Sequence, residues 1–209
     1  YRADAHRGAG GPQHVSDIPA LHPIVSAFLD EGATVAFCAR NPDEVRETQE
    51  SLSARGRVVG SVVDVADGDA LAAWVETCAG DLGGISWWVT CAISSVSGRE
   101  SDFASGPYGT VKTAIIGYVH GLAMQLAEKG IRANTVSPGN TFFTGGVWDQ
   151  IQQGDPALYA TALGLNPTGR MGTPQEMATA VAFLASPRSS FTSGTNLVVD
   201  GALTRGVQL

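Results

Sequence analysis

Apolar and polar positions alternate along the chain in blocks that predict strands and helices in turn. Short apolar runs rich in β-forming residues predict buried strands, and longer segments with apolar residues three or four apart predict helices. The predicted strands are 34–39, 58–63, 85–89, 131–136 and 196–199; the predicted helices are 24–31 (the end of a helix), 42–54 with Asn41 as N-cap, 67–79, 108–128 and 174–185. Strands that alternate with helices indicate an α/β fold class: a doubly wound parallel sheet with helices on both faces.

Two regions do not fit this alternation. Residues 1–23 contain Gly8, Gly10 and Gly11, with no strand-like run before them and Pro12 directly after, which is typical of a flexible terminus. The second region lies between Val89 and Ser95. Two parallel strands need a crossover of about a dozen residues or more, and no such segment is available there.

Composition and charge exclude several classes of protein. The chain has 209 residues, of which 44% are hydrophobic, and this is enough for a single domain, 1–209, with a sizeable core. The net charge is −7 and no two Lys or Arg residues are adjacent, so nucleic acid is not an expected partner. Neither a membrane-spanning apolar run nor a signal-peptide pattern is recognisable, which predicts a cytoplasmic location and no membrane partner.

Cysteine and histidine spacing gives no support to a metal site. Cys38, Cys78 and Cys91 share no metal-like spacing and stand in largely apolar surroundings, so buried, reduced thiols are expected. The four histidines form no compact ligand set either; they are His6, His14, His22 and His120.

Tyr108 and Lys112 are the first candidates for chemistry. They are four residues apart on the longest predicted helix, so they lie on one face, one turn from each other. A free tyrosine ionises at about pH 10, and a nearby ammonium group favours its phenolate form. The pair could therefore act as an acid–base group near neutral pH. Taken alone, it could equally be an ordinary surface pair.

Further residues lie at characteristic sequence spacings from this pair. Ser95 precedes Tyr108 by 13 residues, and the predicted strand after the helix runs into Asn134-Thr135-Val136-Ser137-Pro138-Gly139. A serine at this spacing, Tyr-x-x-x-Lys and Asn-x-Val-x-Pro-Gly together resemble the short-chain dehydrogenase/reductase family, in particular its 3-oxoacyl reductases. The resemblance extends from about Ile24 to Gly201 and implies a Rossmann-like fold. It also includes residues 64–65, 169–176, 194–196 and 199–201.

The resemblance implies a catalytic set of Ser95, Tyr108 and Lys112. Tyr108 would exchange a proton with the substrate oxygen, Lys112 would favour the phenolate and bind the nicotinamide ribose, and Ser95 would hold and polarise the substrate carbonyl. It also implies cofactor-binding roles for Pro138, Gly139, Asn140 and Thr141 beside the nicotinamide and for Asp64 and Val65 beside the adenine. Residues from Thr141 to about Pro167 would form a mobile lid over the substrate.

The end of the strand at 34–39 bears on the choice of cofactor. An acidic residue there would bind the ribose hydroxyls of NAD, whereas an arginine pairs with the additional phosphate of NADP. The sequence has Arg40 and no acidic residue before Asp43, which favours NADP(H) over NAD(H). A solvated loop charge is the alternative interpretation of Arg40.

The first half of the chain departs from the family pattern. The Thr-Gly-x-x-x-Gly-x-Gly loop that would cradle the pyrophosphate is missing before Ile24, and Pro19 and Pro23 are expected to interrupt a helix there. The family's Asn-Asn-Ala-Gly appears as residues 90–93, and the helix and structural asparagine that should follow are missing. Either a segment is omitted from the sequence or the deletion is real. Omission is favoured, and it predicts a break in the chain between Val89 and Ser95.

Two functions from different classes follow. The first is hydride transfer between NADP(H) and a ketone, a 3-oxoacyl compound or a secondary alcohol; the alternative is a cofactor-less scaffold or regulatory protein on the same fold. The resemblance implies a homotetramer, since in relatives the long helix and the last strand pack across two-fold axes. The helix 108–128 carries a face of small residues that could allow such close helix contact: Thr110, Ala114, Gly117 and Gly121. Packing of that face on the chain's own sheet is the alternative. Aromatic residues of the lid suggest an apolar pocket or the lid's own packing: Phe142, Phe143, Trp148 and Tyr159.

Overall fold

The computed structural model describes residues 18–82, 89–102 and 106–206, with side chains from residue 22 onward. The described strands are β1 Val35–Ala39, β2 Val58–Val62, β3 Val89–Ile93, β4 Arg132–Pro138 and β5 Asn196–Val199. The helices are α1 Ile18–Asp30, α2 Pro42–Leu52, α3 Gly68–Asp81, α4 Pro107–Leu126, α5 Val147–Gly154, α6 Pro156–Leu165 and α7 Pro174–Ala185. Residues 85–88 of one predicted strand lie outside the described residues.

All strand pairs in the described part of the chain are parallel, and they form two sheets. The first sheet pairs β1 with β2, and Val35 lies opposite Val58. The second has the order β3-β4-β5, with Val89 opposite Arg132 and Thr135 opposite Asn196. Parallel strands connected through helices confirm the predicted Rossmann-like α/β class, with the sheet divided in two.

Helix α1 packs against the cores of both sheets. Val25 and Leu29 are buried together with Phe37 of β1 and with residues of α2. Ile24 and Phe28 pack on a second cluster that contains Val136 of β4 and two residues of α7, Val181 and Leu184. The apolar face of this one helix therefore joins two sheets that share no ladder among the described residues.

The expectation that Pro19 and Pro23 interrupt a helix is wrong. Both lie within α1, which begins at Ile18. Pro19 stands in the first turn, where a backbone N–H has no partner inside the helix, so its missing donor costs little. Pro23 removes one helical hydrogen bond, and the buried side chains of Val25 and Leu29 offset that loss.

Local sequence signals fix the start of several helices. Asn41 caps α2 by accepting a hydrogen bond from the Asp43 N–H, as predicted. Asp67 caps α3 in the same way. At α7, Thr173 and Glu176 form a reciprocal capping box, in which each side chain accepts from the backbone N–H of the other.

The predicted chain break between Val89 and Ser95 is wrong. Residues 89–93 form one strand, each paired with a residue of β4, and the Ser94 N–H continues the ladder by donating to the Val136 carbonyl at 2.7 Å. The two apolar segments that the sequence placed in separate strands are one short strand, because a link of this length leaves room for one strand only.

The second sheet contains the deepest core. Six of the seven residues of β4 are buried. Arg132 at its start is 8% exposed, and its guanidinium donates to the carbonyl oxygens of Leu184, Ala185, Ser186 and Thr192. Burial lowers the pKa of Arg132. This side chain ties the end of α7 to the start of β4 by satisfying carbonyl groups that a helix end leaves unpaired.

Helix α4 packs on β4 through Val119, Ala123 and their neighbours. Its face of small residues is turned away from the sheet: Thr110, Ala114 and Gly117 are exposed and Gly121 is half-buried. A Cβ added at Gly117 or Gly121 would meet no atom within 4 Å. The alternative interpretation, in which this face packs on the chain's own sheet, is therefore wrong.

Two helices, α5 and α6, occupy most of the region predicted as a lid. Here Tyr159 makes edge contacts with Phe142 and Trp148, at ring-centroid distances of 6.2 and 6.5 Å. Three of the four lid aromatics thus pack on one another. No helix in the described part of the chain is long and apolar enough to cross a membrane.

Candidate active site

The segment that carries Ser95 lies directly against helix α4. The Ser94 hydroxyl donates to the Lys112 carbonyl at 2.8 Å, and the Thr113 hydroxyl donates to the Gly98 carbonyl at 2.7 Å. Gly98, at the end of the 3₁₀ turn Val96–Gly98, has no room for a side chain, since an added Cβ would lie 2.8 Å from the Lys112 carbonyl carbon. This close approach brings Ser95 to the part of α4 that carries Lys112.

Tyr108 and Lys112 form a contact pair at the start of α4. The Lys112 Nζ lies 5.5 Å from the centroid of the Tyr108 ring and donates to the Ile93 carbonyl oxygen at 3.1 Å. Burial lowers the pKa of Lys112. The Tyr108 side chain is 51% exposed, so its ring is accessible from solvent. A cation beside an accessible phenol is suited to proton exchange with a bound molecule.

The Ser95 hydroxyl has two partners that sequence reasoning missed. Its oxygen accepts from the Ser97 N–H at 3.2 Å and lies 3.3 Å from the Ser97 hydroxyl oxygen. Ser97 in turn donates to a carboxylate oxygen of Asp102 at 2.7 Å. The only available sequence signal was the presence of two small polar residues shortly after Ser95, and such residues are common in any loop.

The predicted nicotinamide segment follows the end of β4. The Gly139 N–H donates to the Val199 carbonyl of β5 at 3.0 Å, and a Cβ on Gly139 would lie 2.8 Å from the Asp200 Cα. Glycine is thus required here for close contact between two backbones. Asn140 is 9% exposed and its amide donates weakly to the Ala162 carbonyl at 3.5 Å, while the Thr141 hydroxyl donates to the Gly139 carbonyl.

The predicted adenosine-binding residues belong to the other sheet. Arg40 follows β1 and is exposed, and Asp64 and Val65 follow β2, also exposed. The Asp64 carboxylate accepts from the Ala66 N–H at 3.0 Å, which shapes this turn. The predicted cofactor residues therefore follow strands of both sheets: Arg40, Asp64 and Val65 the first, Pro138 to Thr141 the second.

The fit to a nicotinamide dinucleotide is uneven. At the second sheet, Lys112 offers an ammonium donor, and at the first, Arg40 offers an exposed cation for a phosphate group. Residues 18–23, where the resemblance places the glycine-rich pyrophosphate loop, are part of α1 and contain no glycine, and the residues before Ile18 lie outside the described part of the chain. The residues present fit the two ends of the cofactor better than its centre.

A small pocket lies between β5 and α7. Its volume is about 80 Å³, and its lining includes Asn140, Asn166, Arg170 and Asp200. Arg170 is paired with Glu176 at 2.6 Å, and this pairing lowers the pKa of Glu176 to about 2. Ligand pockets usually measure about 300–1,000 Å³, so this one is too small for a cofactor or a substrate of ordinary size.

The three cysteines are free thiols, as predicted, and they are half-buried where the sequence predicted buried positions. Burial raises the pKa of Cys91 to about 11 and also raises the pKa values of Cys38 and Cys78. Thiols with raised pKa values are poor nucleophiles at neutral pH. No group of three or more potential metal ligands occurs among the described residues.

Comparison with known proteins places these features in a family. A family model described as enoyl-(acyl carrier protein) reductase matches residues 89–204. The isoepoxydon dehydrogenase of Penicillium expansum is 33% identical, over 88% of this chain and 90% of its own length. A 3-oxoacyl-[acyl-carrier-protein] reductase of Vibrio cholerae is 34% identical over 53% of this chain and 43% of its own length.

A solved structure of similar fold is the NADPH-bound short-chain oxidoreductase of Pseudomonas aeruginosa, described as having an atypical catalytic centre. It superposes with a TM-score of 0.81 at 25% identity and covers 90% of this chain and 94% of its own.

The relatives also bear on the missing segments. The alignment with the Penicillium protein spans 235 residues, which exceeds the 209 residues of this chain. The alignment must therefore contain gaps where the relative has residues that this chain lacks. The matches nevertheless cover both sheets and the Ser95, Tyr108 and Lys112 positions. The chain belongs to the short-chain dehydrogenase/reductase family, a family of oxidoreductases.

Proposed function

We propose that the protein transfers hydride between NADP(H) and a ketone, a 3-oxoacyl compound or a secondary alcohol, with Tyr108 as the acid–base residue. The observation that carries this proposal is the contact between Lys112 and the accessible Tyr108 ring, beside the segment that contains Ser95. Relatives named as dehydrogenases and reductases of such compounds support it.

Each residue of the set has a distinct task in this proposal. Bound NADP(H) would supply or take up the hydride. The Tyr108 hydroxyl gives a proton to the substrate oxygen in the reductive direction and takes it back in the oxidative direction. The Lys112 ammonium favours the phenolate form of Tyr108, and its N–H groups are available to a ribose hydroxyl once it leaves the Ile93 carbonyl. Ser95 binds the substrate oxygen.

Substitution of Tyr108 by phenylalanine tests the proposal. Tyr108→Phe removes the proton donor and should lower kcat/KM by roughly 10²–10⁴-fold, the usual contribution of a general acid or base. The thermal midpoint should hardly change, because the hydroxyl of a half-exposed ring contributes little to folding. Tyr118→Phe is the matched control on the same helix, since Tyr118 is 71% exposed. Undiminished turnover in Tyr108→Phe would exclude the proposed mechanism.

Preference for NADP(H) is proposed from Arg40. Replacement of Arg40 by serine should weaken NADPH binding about tenfold or more and leave NADH binding nearly unchanged, because the guanidinium pairs with the additional phosphate only. Arg46→Ser is the control, since Arg46 is an exposed arginine engaged with acidic residues of its own helix. Equal losses of affinity for NADPH and NADH in Arg40→Ser would contradict the pairing of Arg40 with the additional phosphate.

A cofactor-less scaffold is the second candidate function. The division of the sheet among the described residues and the absence of glycine from residues 18–23 favour it. Titration with NADPH, followed by quenching of tryptophan fluorescence, separates the two candidates. Saturable quenching that Lys112→Met weakens supports the enzyme, whereas no quenching at millimolar NADPH supports the scaffold.

We also propose that the protein is a homotetramer that uses the small-residue face of α4. That face is exposed, and Gly117 has open space around it. Sedimentation velocity at micromolar concentration tests this. Tetramers that Gly117→Leu dissociates would support the proposal, and a monomer at all concentrations would contradict it.

A further inference from the structure

The end of strand β3 holds Lys112 at two points. The Ser94 hydroxyl donates to the Lys112 backbone carbonyl at 2.8 Å, and the Lys112 Nζ donates to the Ile93 carbonyl at 3.1 Å. Ser94 is 3% exposed, so its hydroxyl is largely shielded from water. Two consecutive residues of the chain therefore bind the backbone and the ammonium group of the same lysine.

The Ile93 carbonyl is available to Lys112 because of its place in the sheet. Along a strand, the backbone N–H and C=O groups of successive residues point to opposite edges. The Ser94 N–H pairs with the Val136 carbonyl of β4, so the Ile93 carbonyl points to the other edge of β3. Among the described residues no strand pairs with that edge, and the carbonyl accepts from the Lys112 ammonium. A backbone acceptor at an open strand edge thus binds a side chain of the proposed catalytic set.

The hydrogen bond from Ser94 is additional to the bonds of the helix itself. Lys112 lies inside α4, where each carbonyl accepts from the N–H four residues further on. A carbonyl oxygen has two lone pairs and can accept a second hydrogen bond. The Ser94 bond therefore leaves the helix intact and fixes one of its residues relative to β3. Because a lysine has a flexible four-carbon stem, the position of its ammonium group depends on both attachments.

We propose that Ser94 is a positioning residue, which ties the Lys112 backbone to the end of β3 so that the Ile93 carbonyl keeps the ammonium group beside Tyr108. This role presupposes the role of Lys112 in the proposed function. The Lys112 Nζ lies 5.5 Å from the centroid of the Tyr108 ring. Without the Ser94 hydroxyl, the distance from the Lys112 backbone to the Ile93 carbonyl is no longer fixed, and the ammonium group spends less time in this position. The contacts of Gly98 with α4 remain, so the change is local.

Nuclear magnetic resonance of the lysine ammonium groups tests this role without turnover. The chain has two lysines, Lys112 and Lys129, so labelling of lysine Nζ gives at most two signals, and Lys112→Met assigns them. Ser94→Ala should lower the order parameter of the Lys112 ammonium and speed the exchange of its hydrogens with water roughly threefold to tenfold, which corresponds to one neutral hydrogen bond. The exposed Lys129 should be unaffected. An unchanged Lys112 signal in Ser94→Ala would overturn the proposed role of Ser94.

Two further variants separate this effect from a general loosening between β3 and α4. Ser94→Cys keeps a similar side-chain volume but offers only a weak donor, so it should act as Ser94→Ala does. Thr113→Val removes the hydroxyl that donates to the Gly98 carbonyl, on the next residue of the same helix, and should leave the Lys112 signal unchanged. If Thr113→Val loosened the Lys112 ammonium as much as Ser94→Ala, Ser94 would have no specific role.

Kinetics with ethyl acetoacetate and NADPH supplies the second readout. Ser94→Ala should lower kcat roughly threefold to tenfold, because a smaller fraction of the complexes has the ammonium group beside Tyr108. KM for ethyl acetoacetate should hardly change, since Ser95 binds the substrate oxygen in the proposed function. A raised KM with unchanged kcat would mean that Ser94 acts through Ser95 and would overturn the role proposed for it. Turnover retained by Tyr108→Phe in the same assay would instead refute the proposed function, whereas the ammonium signals do not depend on turnover.

Discussion

The two sheets of this protein differ in how well each is buried. In the second sheet, β4 is almost completely buried and α7 contributes four buried residues. In the first sheet, β2 contains no fully buried residue and neither does α3. The half with the well-packed sheet is also the half that carries Ser95, Tyr108 and Lys112. The difference indicates that the proposed catalytic residues rest on the more deeply buried sheet and the predicted adenosine-binding residues on the less buried one, while α1 packs on the cores of both.

The largest expected effect comes from a cavity in either core. Leu184→Ala and Leu52→Ala each empty a site that is 1% exposed and should each cost about 2–5 kcal/mol of unfolding free energy. Hydrogen exchange should distinguish them: Leu184→Ala should expose amides throughout, whereas Leu52→Ala should expose residues 35–62 and leave β4 protected. Equal loss of protection in β4 would mean that the two halves unfold as one unit.

A smaller effect is expected where the turn Val96–Gly98, next to Ser95, contacts α4. Gly98→Ala forces a Cβ to within 3 Å of the Lys112 backbone and should destabilise the protein by about 1–3 kcal/mol while displacing Ser95. The initial rate of Gly98→Ala should fall by more than the loss of folded protein alone explains. Gly117→Ala, on the open face of the same helix, should instead stabilise by about 0.5–1 kcal/mol. Thermal melts and initial rates of both variants measure the contrast, and unchanged rates in Gly98→Ala would contradict it.

The start of α7 should make the second half sensitive to acid. Thr173→Ala removes an N-cap and should cost about 1 kcal/mol. The pKa of Glu176 is lowered to about 2 by Arg170 and the Thr173 N–H, so its contribution is present above the ordinary carboxyl pKa of 4.5 and is lost as pH falls from there towards 2. Because Glu176 is exposed and screened, that contribution is below about 1 kcal/mol. The unfolding free energy of Glu176→Gln, measured as a function of pH, should not show the loss that protonation of Glu176 causes in the unsubstituted protein.

The smallest effect is expected in α3. Leu71→Ala should cost less than about 1 kcal/mol, since α3 buries no side chain fully. Leu122→Ala is the comparison on α4, where the leucine packs on the buried cluster of Val119, Ala123 and Ala133, and it should cost more. Urea denaturation of both variants provides the measurement. If Leu71→Ala lowered the unfolding free energy more than Leu122→Ala, the packing of α3 would contribute more to stability than its partial burial indicates.

Local chemistry was predictable from sequence wherever a few neighbouring residues decide it. The Asn41 cap, the helix Pro174–Ala185 and the strand Asn196–Val199 follow from capping residues and short apolar runs, and the structure has all three. The family pattern around Tyr108 and Lys112 likewise located a pair whose groups are in contact.

Features set by distant contacts were not predictable in this way. Pro23 tells against a helix locally, but burial of Val25 and Leu29 decides the outcome. The apolar residues 89–93 could equally end one strand or begin another until their pairing with β4 is known. The Ser97 side chain contacts Ser95, and Asp102 contacts Ser97, in a segment that Gly98 holds against α4; a single glycine in a loop does not reveal this packing.

The division of the sheet has a consequence for the solution behaviour of the protein. Among the described residues, β1 and β3 are each paired on one side only, and neither contains a charged residue or a proline. Charges and prolines are the usual means by which strand edges resist pairing with other chains. Within the described residues these two strand edges therefore lack such protection, and the concentration at which the protein stays dispersed depends on what covers them.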